Sequence, residues 1–502
     1  MFVHSTKNAA ARKPSGNAQS AVAPTEQPRV TSYCATFCVG ISALLICVLG
    51  IYYSGFLSEG NLRQYDEYHT LDRSAAFARH QDYLTVYSSN RPVFRKPPLQ
   101  YWISAFLLSK GLDREVALRL PSYISGILLL ITTGFLAYRL SLGSVFAALL
   151  AILLLSSSEF FWSHSLSAML DAGAALFVTT AILASILALY QPRWWYLVAL
   201  STGLGALQKG PFSLAIVALF VLMLVVLNKW HNLSLASFRN RNFYVSALLA
   251  FVLVLWWPLL QSVRYGVTKV FYSYNNELLD RLAPGENINS SVYEVIIGGD
   301  EHWLRIGGII ALFCLPFIYR RIEFFALALI FIAFVAIMFM ASGPIYARYG
   351  LLFLPLLMAS LAAALVSVPP VRMLCAIPAM VIAFWLGQPF KSWSELGNLR
   401  NKQAQYIPAL KDVSARLQPE ETFVVCGRKP IFPGTASYFA SNGRPFQTIH
   451  SAEDLAGRET RGLMSPPYRG LCPVRKFEGL KASLKSYSIV RKADGVVHWT
   501  SP

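Results

Sequence analysis

The sequence predicts a polytopic α-helical membrane protein: a bundle of about eleven transmembrane helices, followed by a small C-terminal extracytoplasmic α/β domain. Three observations carry this. Of 502 residues, 55% are hydrophobic and 14% charged, where an ordinary soluble domain carries roughly 25% charged residues. Many apolar runs are long enough to cross the roughly 30 Å hydrocarbon core. Lys and Arg gather in the short segments on one side of those runs, as the positive-inside rule requires. A soluble enzyme is thereby excluded.

Residues 1–33 are polar, rich in Ala, Ser and Pro, and carry Lys7, Arg12, Lys13 and Arg29. They read as a disordered cytoplasmic tail. The run 34–53 is too long for a signal-peptide core and anchors the chain as a first helix. Further runs lie near 120–138, 143–161, 166–190, 194–207, 211–227, 243–263, 303–319, 322–340, 349–367 and 371–387, which makes 34–387 the transmembrane region. With the basic tail inside, helix parity puts Arg139, Arg193, Lys229, Arg239, Arg241, Arg320, Arg321 and Arg372 on the cytoplasmic side. The same parity puts loops 55–118 and 264–302 and the domain 388–502 outside. The site of action is the inner (plasma) membrane. No fixed-period repeat and no strong inverted-repeat symmetry is evident.

The outer segments have structure of their own. Residues 66–73 are amphipathic, and Leu99–Leu108 is apolar but too short to span, so it is expected to lie in the interface plane. In 388–502, strands are expected at Thr422–Cys426 and Pro445–Ile449, a helix at Thr435–Ser441, and a hairpin about Asp494-Gly495. Cys426 and Cys472 are the two cysteines outside the apolar runs. Their isolation in a small exported domain makes them a disulfide candidate, with two free thiols as the alternative.

The informative charges are those the topology does not call for. Lys209 sits in the short outer turn 208–211, Arg348 in the outer turn 343–349, and Arg281 in the longer outer loop, where short loops should be poor in cations. Ionisable groups at membrane depth are costly and face polar cavities. The three suit an anion at the outer face, such as the phosphate of a lipid headgroup, with snorkelling to the interface as the plain alternative. Asp66 and Glu67 follow the first helix directly, and Asp171 lies inside an apolar stretch where a carboxylate needs a partner, with Lys96 or Lys209 the nearest outer candidates. His164 and His302 stand alone at helix ends, and no spacing specifies a metal site.

The order of these groups is familiar. An Asp-Glu pair after the first helix is followed by Lys-Pro-Pro-Leu-Gln-Tyr-Trp at 96–102, Met-Leu-Asp-Ala at 169–172, Gln-Lys-Gly-Pro at 208–211 and Ala-Arg-Tyr-Gly-Leu-Leu-Phe-Leu-Pro at 347–355. Together they resemble the GT-C fold glycosyltransferases, nearest to the bacterial aminoarabinose transferases of lipid A and the protein O-mannosyltransferase family. No single motif is specific; their order and sidedness are. The resemblance implies a polyprenyl-phosphate sugar donor and transfer outside the cytoplasm. It implies that Asp66 is the catalytic base, that Asp171 is a second acid, and that Lys96, Lys209 and Arg348 lie near the donor phosphate. Arg281, in a segment similar to a Glu-Asn-x-x-Arg-Phe motif, joins them. Two departures stand out: Arg95 replaces an acidic residue before Lys-Pro, and no His stands beside Glu277. No cofactor is required on this reading, and a divalent cation is left open.

Charge and resemblance converge on one mechanism. The departing phosphate gains negative charge, which Lys96, Lys209, Arg281 and Arg348 offset. Asp66 deprotonates an acceptor hydroxyl, with Glu67 or Asp171 orienting it. One base opposite the leaving group implies inversion. The acceptor is lipid A, another glycan or an exported protein. The alternative is a flippase or transporter of a lipid-linked anionic sugar, which would place its unusual charges near the midplane rather than at one face. The formal charge of +18 raises nucleic acid as a partner. Much of it, however, lies in the tail, the short inner loops and the last 115 residues, so no nucleic acid is called for.

Overall fold

The computed structural model describes residues 30–62, 66–88, 91–230, 236–282, 288–298, 302–340, 346–367, 396–398, 400, 407–426, 446–449, 451–461, 463–481, 484, 486–493 and 496–502. It is a helical bundle with a small sheet domain packed on one end. In chain order the helices are α1 (Val30–Ser54), α2 (Asp66–His80), α3 (Leu99–Ser109), α4 (Arg114–Leu140), α5 (Val145–Ser156), α6 (Glu159–Ser165), α7 (Asp171–Ala188), α8 (Trp195–Lys209) and α9 (Pro211–Trp230). There follow α10 (Ala236–Arg239), α11 (Arg241–Tyr265), α12 (Val267–Leu282), α13 (Ile288–Ile296), α14 (His302–Tyr319), α15 (Ile322–Met340) and α16 (Leu354–Ser367). A two-stranded hairpin, β1 (Tyr87–Ser88) with β2 (Arg91–Pro92), separates α2 from α3.

Among the described residues seven helices are long and apolar enough to span, or eight if the α5–α6 pair, bent by 73°, counts as one span. The expected eleven is not confirmed among the described residues. Of the other three runs, α8 has 15 residues and α16 has 14, short of the roughly 20 a perpendicular span needs. The third, 371–387, lies outside the described residues. The first helix also starts at Val30 rather than Cys34, because the Val-Thr-Ser-Tyr stretch before it adds a further turn. As expected, the apolar piece at 99–108 is a short helix, α3.

Burial sorts the spans. In α7, 78% of the spanning residues are enclosed, against 17% in α1 and 11% in α11. Hence α7 is central, while α1 and α11 face lipid. Its sequence explains this: Ala172, Gly173, Ala174, Ala175, Ala181 and Ala184 leave little side chain between backbones, which is how helices approach closely where the surroundings are as apolar as the core. Asp171 is therefore the first residue of this most enclosed helix.

The C-terminal domain holds α17 (Ile407–Arg416), β3 (Thr422–Cys426), β4 (Phe446–Ile449), α18 (Ala452–Thr460), β5 (Tyr468–Pro473), α19 (Val474–Leu480), β6 (Ser488–Ala493) and β7 (Val496–Ser501). The sheet order is β4-β3-β5-β7-β6, with β3 parallel to β4 and β5, and β7 antiparallel to β5 and β6. The hairpin β6–β7 forms about the Asp494-Gly495 turn, and that turn and the helix expected at 435–441 lie outside the described residues. Alternation along β3 gives the sheet two apolar faces. Val424 and Cys426 join Ile449, Leu455, Tyr468, Phe477 and Trp499 on one face. Phe423 and Val425 join Leu410 and Val413 of α17 on the other, together with Tyr68 and Leu71 of α2, Leu118 of α4 and Ala168. The domain thus shares a core with the helix that begins at Asp66. Cys426 and Cys472 are disulfide-bonded across β3 and β5, their Cα atoms 4.6 Å apart.

Candidate active site

The site forms where the first residues of α2 and α7 meet the last residue of α8 and the short 3₁₀ turn 347–352. Arg348 donates from Nη1 to Asp66 Oδ2 at 2.5 Å, and Lys209 donates from Nζ to Asp171 Oδ1 at 2.5 Å. The two pairs are neighbours, since Asp171 also feels the charges of Arg348 and His164. The ammonium of Lys209 lies 4.9 Å from the ring centre of Tyr349, and the guanidinium of Arg348 lies 4.5 Å from that of Tyr346. Asp66 and Arg348 are partly open to solvent, with side chains 38% and 22% exposed, whereas Asp171 is buried. The Oδ1 of Asp66 accepts no hydrogen bond among the described residues.

Further along α2 lie His69 and Arg73, with Lys96 close to His69. Asp66, His69 and Arg73 fall at i, i+3 and i+7, one helical face. Arg73 donates from Nη1 to the Tyr101 hydroxyl at 2.8 Å. Lys96 lies near enough to act on His69. Burial first, and then the charges of Arg73 and Lys96, push the His69 imidazolium down to about 3, so this ring is neutral at any working pH. Arg281 lies in the last turn of α12.

Local sequence explains how the motifs converge. Gln208 donates to Gln100 Oε1 at 2.7 Å, Gln100 donates to Ser122 Oγ at 3.0 Å, and Ser122 donates to Met169 O at 2.7 Å. This buried chain ties the 96–102, 169–172 and 208–211 segments together. Gly173 makes room for it: a Cβ there would lie 2.4 Å from Gln208 Nε2. Gly210, with φ of +91°, turns the chain after Lys209, and a Cβ on it would stand 3.9 Å from Pro97 Cγ, next to Lys96.

Glu67 faces the other way from Asp66. It is fully buried and pairs with Arg119 at 3.0 Å, while its Oε1 accepts the Ala168 N–H at 2.8 Å. Thr70 donates to Ala168 O at 2.8 Å. The start of α2 is thereby pinned to the loop that leads into Asp171. Arg119 also donates to Leu57 O, Glu59 O and Asn61 O. From the far end of the sequence Arg400 donates to Phe56 O, Glu59 O and Leu166 O at 2.6–2.7 Å. Two buried guanidiniums therefore shape the segment before Asp66. Sequence reading singled out neither, nor His69, Arg73, Gln100 or Gln208. The helical spacing from Asp66 was the available signal for His69 and Arg73. Nothing local marks Arg400.

No group of three or more His, Cys, Asp or Glu positioned for a metal ion occurs among the described residues. The arrangement offers two neighbouring cations, Lys209 and Arg348, beside one accessible carboxylate, Asp66, with Lys96 further along near His69. That is a constellation for holding an anionic group beside a proton acceptor.

A polytopic bundle with these groups at one end, and a small sheet domain packed there, is the plan that the resemblance to the GT-C fold implied. Comparison with known proteins narrows this. The family model described as dolichyl-phosphate-mannose-protein mannosyltransferase matches residues 95–257. The undecaprenyl phosphate-alpha-4-amino-4-deoxy-L-arabinose arabinosyl transferase 2 of Sodalis glossinidius (strain morsitans) is 29% identical over 191 residues, 37% of this chain and 34% of that one. The match thus spans about a third of the relative. The crystal structure of ArnT from Cupriavidus metallidurans bound to undecaprenyl phosphate superposes with a TM-score of 0.70 at 16% identity, over 93% of this chain and 98% of that one. The apo oligosaccharyltransferase of Archaeoglobus fulgidus gives 0.53 at 13% identity, over 82% and 64%.

Proposed function

We propose that this protein is a glycosyltransferase of the inner membrane, moving a sugar from a polyprenyl-phosphate donor to an envelope acceptor (lipid A, a glycan or a protein) on the extracytoplasmic side. The observation that carries the reading is the pairing of Asp66 with Arg348 beside Asp171 with Lys209, four residues drawn from distant segments to one end of the bundle. The likeness to the ArnT fold and to the arabinosyl transferase supports the donor class.

Chemistry follows from charge. A donor phosphate competes with Asp66 for Arg348 and frees the carboxylate. Lys96, Lys209 and Arg348 then face the phosphate, with Arg281 as a further candidate from α12. As the acceptor oxygen attacks the anomeric carbon, its proton passes to Asp66. The carbon–oxygen bond to phosphate breaks, and the leaving polyprenyl phosphate keeps the electron pair, stabilised by the cations. Attack opposite the leaving group inverts the anomeric centre. Asp171 orients Lys209, and Glu67, being spent on Arg119 and Ala168, positions α2 rather than touching substrate.

The test is reconstitution in proteoliposomes with a defined undecaprenyl-phosphate sugar and extracted envelope acceptors, read by mass spectrometry of products. Transfer is expected from the wild type. Asp66→Asn is expected to lose it by a factor of about 10² or more while retaining donor binding. Donor moved across the bilayer without being consumed would establish transport instead, and full turnover by Asp66→Asn would remove Asp66 from the role.

A further inference from the structure

The opposite end of the bundle carries a second polar site that the transfer reaction does not use. Helix α7 runs 18 residues from Asp171 to Ala188, about 27 Å at 1.5 Å per residue, and Tyr190 lies two residues past its end. Beyond it a recess of about 410 Å³ is lined by Tyr190, Gln191, Pro192, Arg193, Asn240 and Asn242. Its walls are the turn 190–193 that joins α7 to α8 and the N-terminal end of α11. The same α8 ends at Lys209, so one rigid helix separates the two sites.

The lining is rich in donors and poor in negative charge. Arg193 is exposed and pairs with no carboxylate among the described residues. The Asn240 side-chain oxygen caps α11 by accepting the Asn242 N–H at 2.9 Å, and the Asn242 side-chain oxygen accepts the Tyr196 hydroxyl at 3.4 Å. Both side-chain amide NH₂ groups are thereby left to donate. The Tyr190 ring has the Arg139 guanidinium 4.3 Å from its centre and that of Arg321 at 5.5 Å. The carboxylate behind this wall, Glu323, is buried, ion-paired to Arg321 at 3.0 Å and bonded to the Tyr190 hydroxyl at 3.1 Å. Its charge is neutralised locally, while Arg139 and Arg193 are not.

Beside the recess the surface turns apolar in register. Tyr196 and Leu200 on α8 are exposed at i and i+4, as are Tyr244 and Leu248 on α11, so each helix shows an aromatic ring at the interface and an aliphatic side chain one turn deeper. A polar, cationic cup next to two lipid-facing apolar stripes matches the two ends of one molecule.

We propose that this recess binds the headgroup of an anionic membrane phospholipid. Arg193 and the Asn240 and Asn242 amides donate to the phosphate, Tyr190 forms the floor, and the acyl chains run along Leu200 and Leu248. The recess stands apart from Asp66 and the inference is independent of the transferase reading.

The test is native mass spectrometry of the full-length protein released from mixed micelles of phosphatidylglycerol and phosphatidylcholine. One phosphatidylglycerol is expected to stay bound in preference to phosphatidylcholine. Arg193→Gln combined with Asn242→Leu is expected to cut its retention about tenfold, with the melting temperature unchanged because both sites are at the surface. Lys209 and Arg348 are intact in both proteins, so the difference reports on the recess alone. Equal retention of the two lipids, or undiminished phosphatidylglycerol on the double variant, overturns the proposal. Displacement by sn-glycerol 3-phosphate at concentrations equal to the lipid would also overturn it, by making this a site for a soluble phosphate ester.

Discussion

Replacing Arg119 with Met should destabilise this protein more than any surface substitution in the candidate site, and the structure says by how much. Arg119 and Glu67 are 0% and 1% exposed, and their 3.0 Å contact is an ion pair with no route to solvent. Removing one partner leaves a buried charge uncompensated, which costs about 3–5 kcal/mol. The same substitution removes the donors to Leu57 O, at 2.8 Å, and Asn61 O, at 3.0 Å, each worth about 1 kcal/mol net. Met fills most of the volume, so cavity formation adds little. Against a total stability of about 5–15 kcal/mol, the loss should lower the melting temperature of detergent-solubilised protein by about 5–10 °C, measured by intrinsic fluorescence. Adding Glu67→Gln removes the stranded charge while an oxygen remains to accept the Ala168 N–H, so the double variant should melt above Arg119→Met alone. A single variant within 1 °C of the wild type, or a double variant that melts lower still, would refute the view that this pair anchors the start of α2.

Other consequences are as direct. In the proposed reaction Lys209→Gln takes a cation from the leaving phosphate and should lower kcat by about 10²-fold, with Lys209→Arg recovering part of it; a change confined to KM would make Lys209 a binding group only. Gly173→Ala drives a methyl to within 2.4 Å of Gln208 Nε2, and should disturb the adjacent Lys209 enough to reduce turnover in the same assay, whereas unchanged turnover would show that the glutamine chain does not position the site. In the C-terminal domain burial pushes the His498 imidazolium below its ordinary 6.5, outweighing its bond to Asp412, and the Arg469 and Arg416 charges act in the same sense as burial. Burial alone would raise the Glu421 and Asp412 carboxyls. Instead Arg469 bonded to Glu421, and His498 and Arg416 bonded to Asp412, hold them below the usual range. All three shifts mean that the unfolded chain binds protons more readily. Stability contributed by this network is complete above about pH 6.5 and is lost on acidification, first through His498 and then below about pH 4.5 through the carboxylates. Melting curves between pH 4 and 8 would show it, and a flat profile would count against the downward shift of His498.

Sequence and tertiary structure divided the work along a clear physical line. Hydropathy and the placement of Lys and Arg are local properties, and they settled by themselves that the chain is a multi-pass membrane protein. Local turn and strand chemistry likewise announced the β6–β7 hairpin and β3. The unusual charges Asp66, Asp171, Lys209 and Arg348 were visible because each breaks a local rule about what apolar segments and short loops contain. Which acid meets which base was not visible, because a carboxylate at the end of any span satisfies the same rule. Only folding brings residue 348 back to residue 66 and residue 209 to residue 171. The same holds for Glu67, adjacent to Asp66 in sequence yet turned by one step of the helix into the core, and for Arg400, which reaches carbonyls more than 200 residues away. Hydropathy measures composition and not helix length, so it could not show that α8 and α16 are short helices bounded by the turns at Gly210 and Ala347–Leu352. Sequence by itself determined the solvent each segment prefers; tertiary structure decided the partners, because pairing depends on distances between segments that no local pattern encodes.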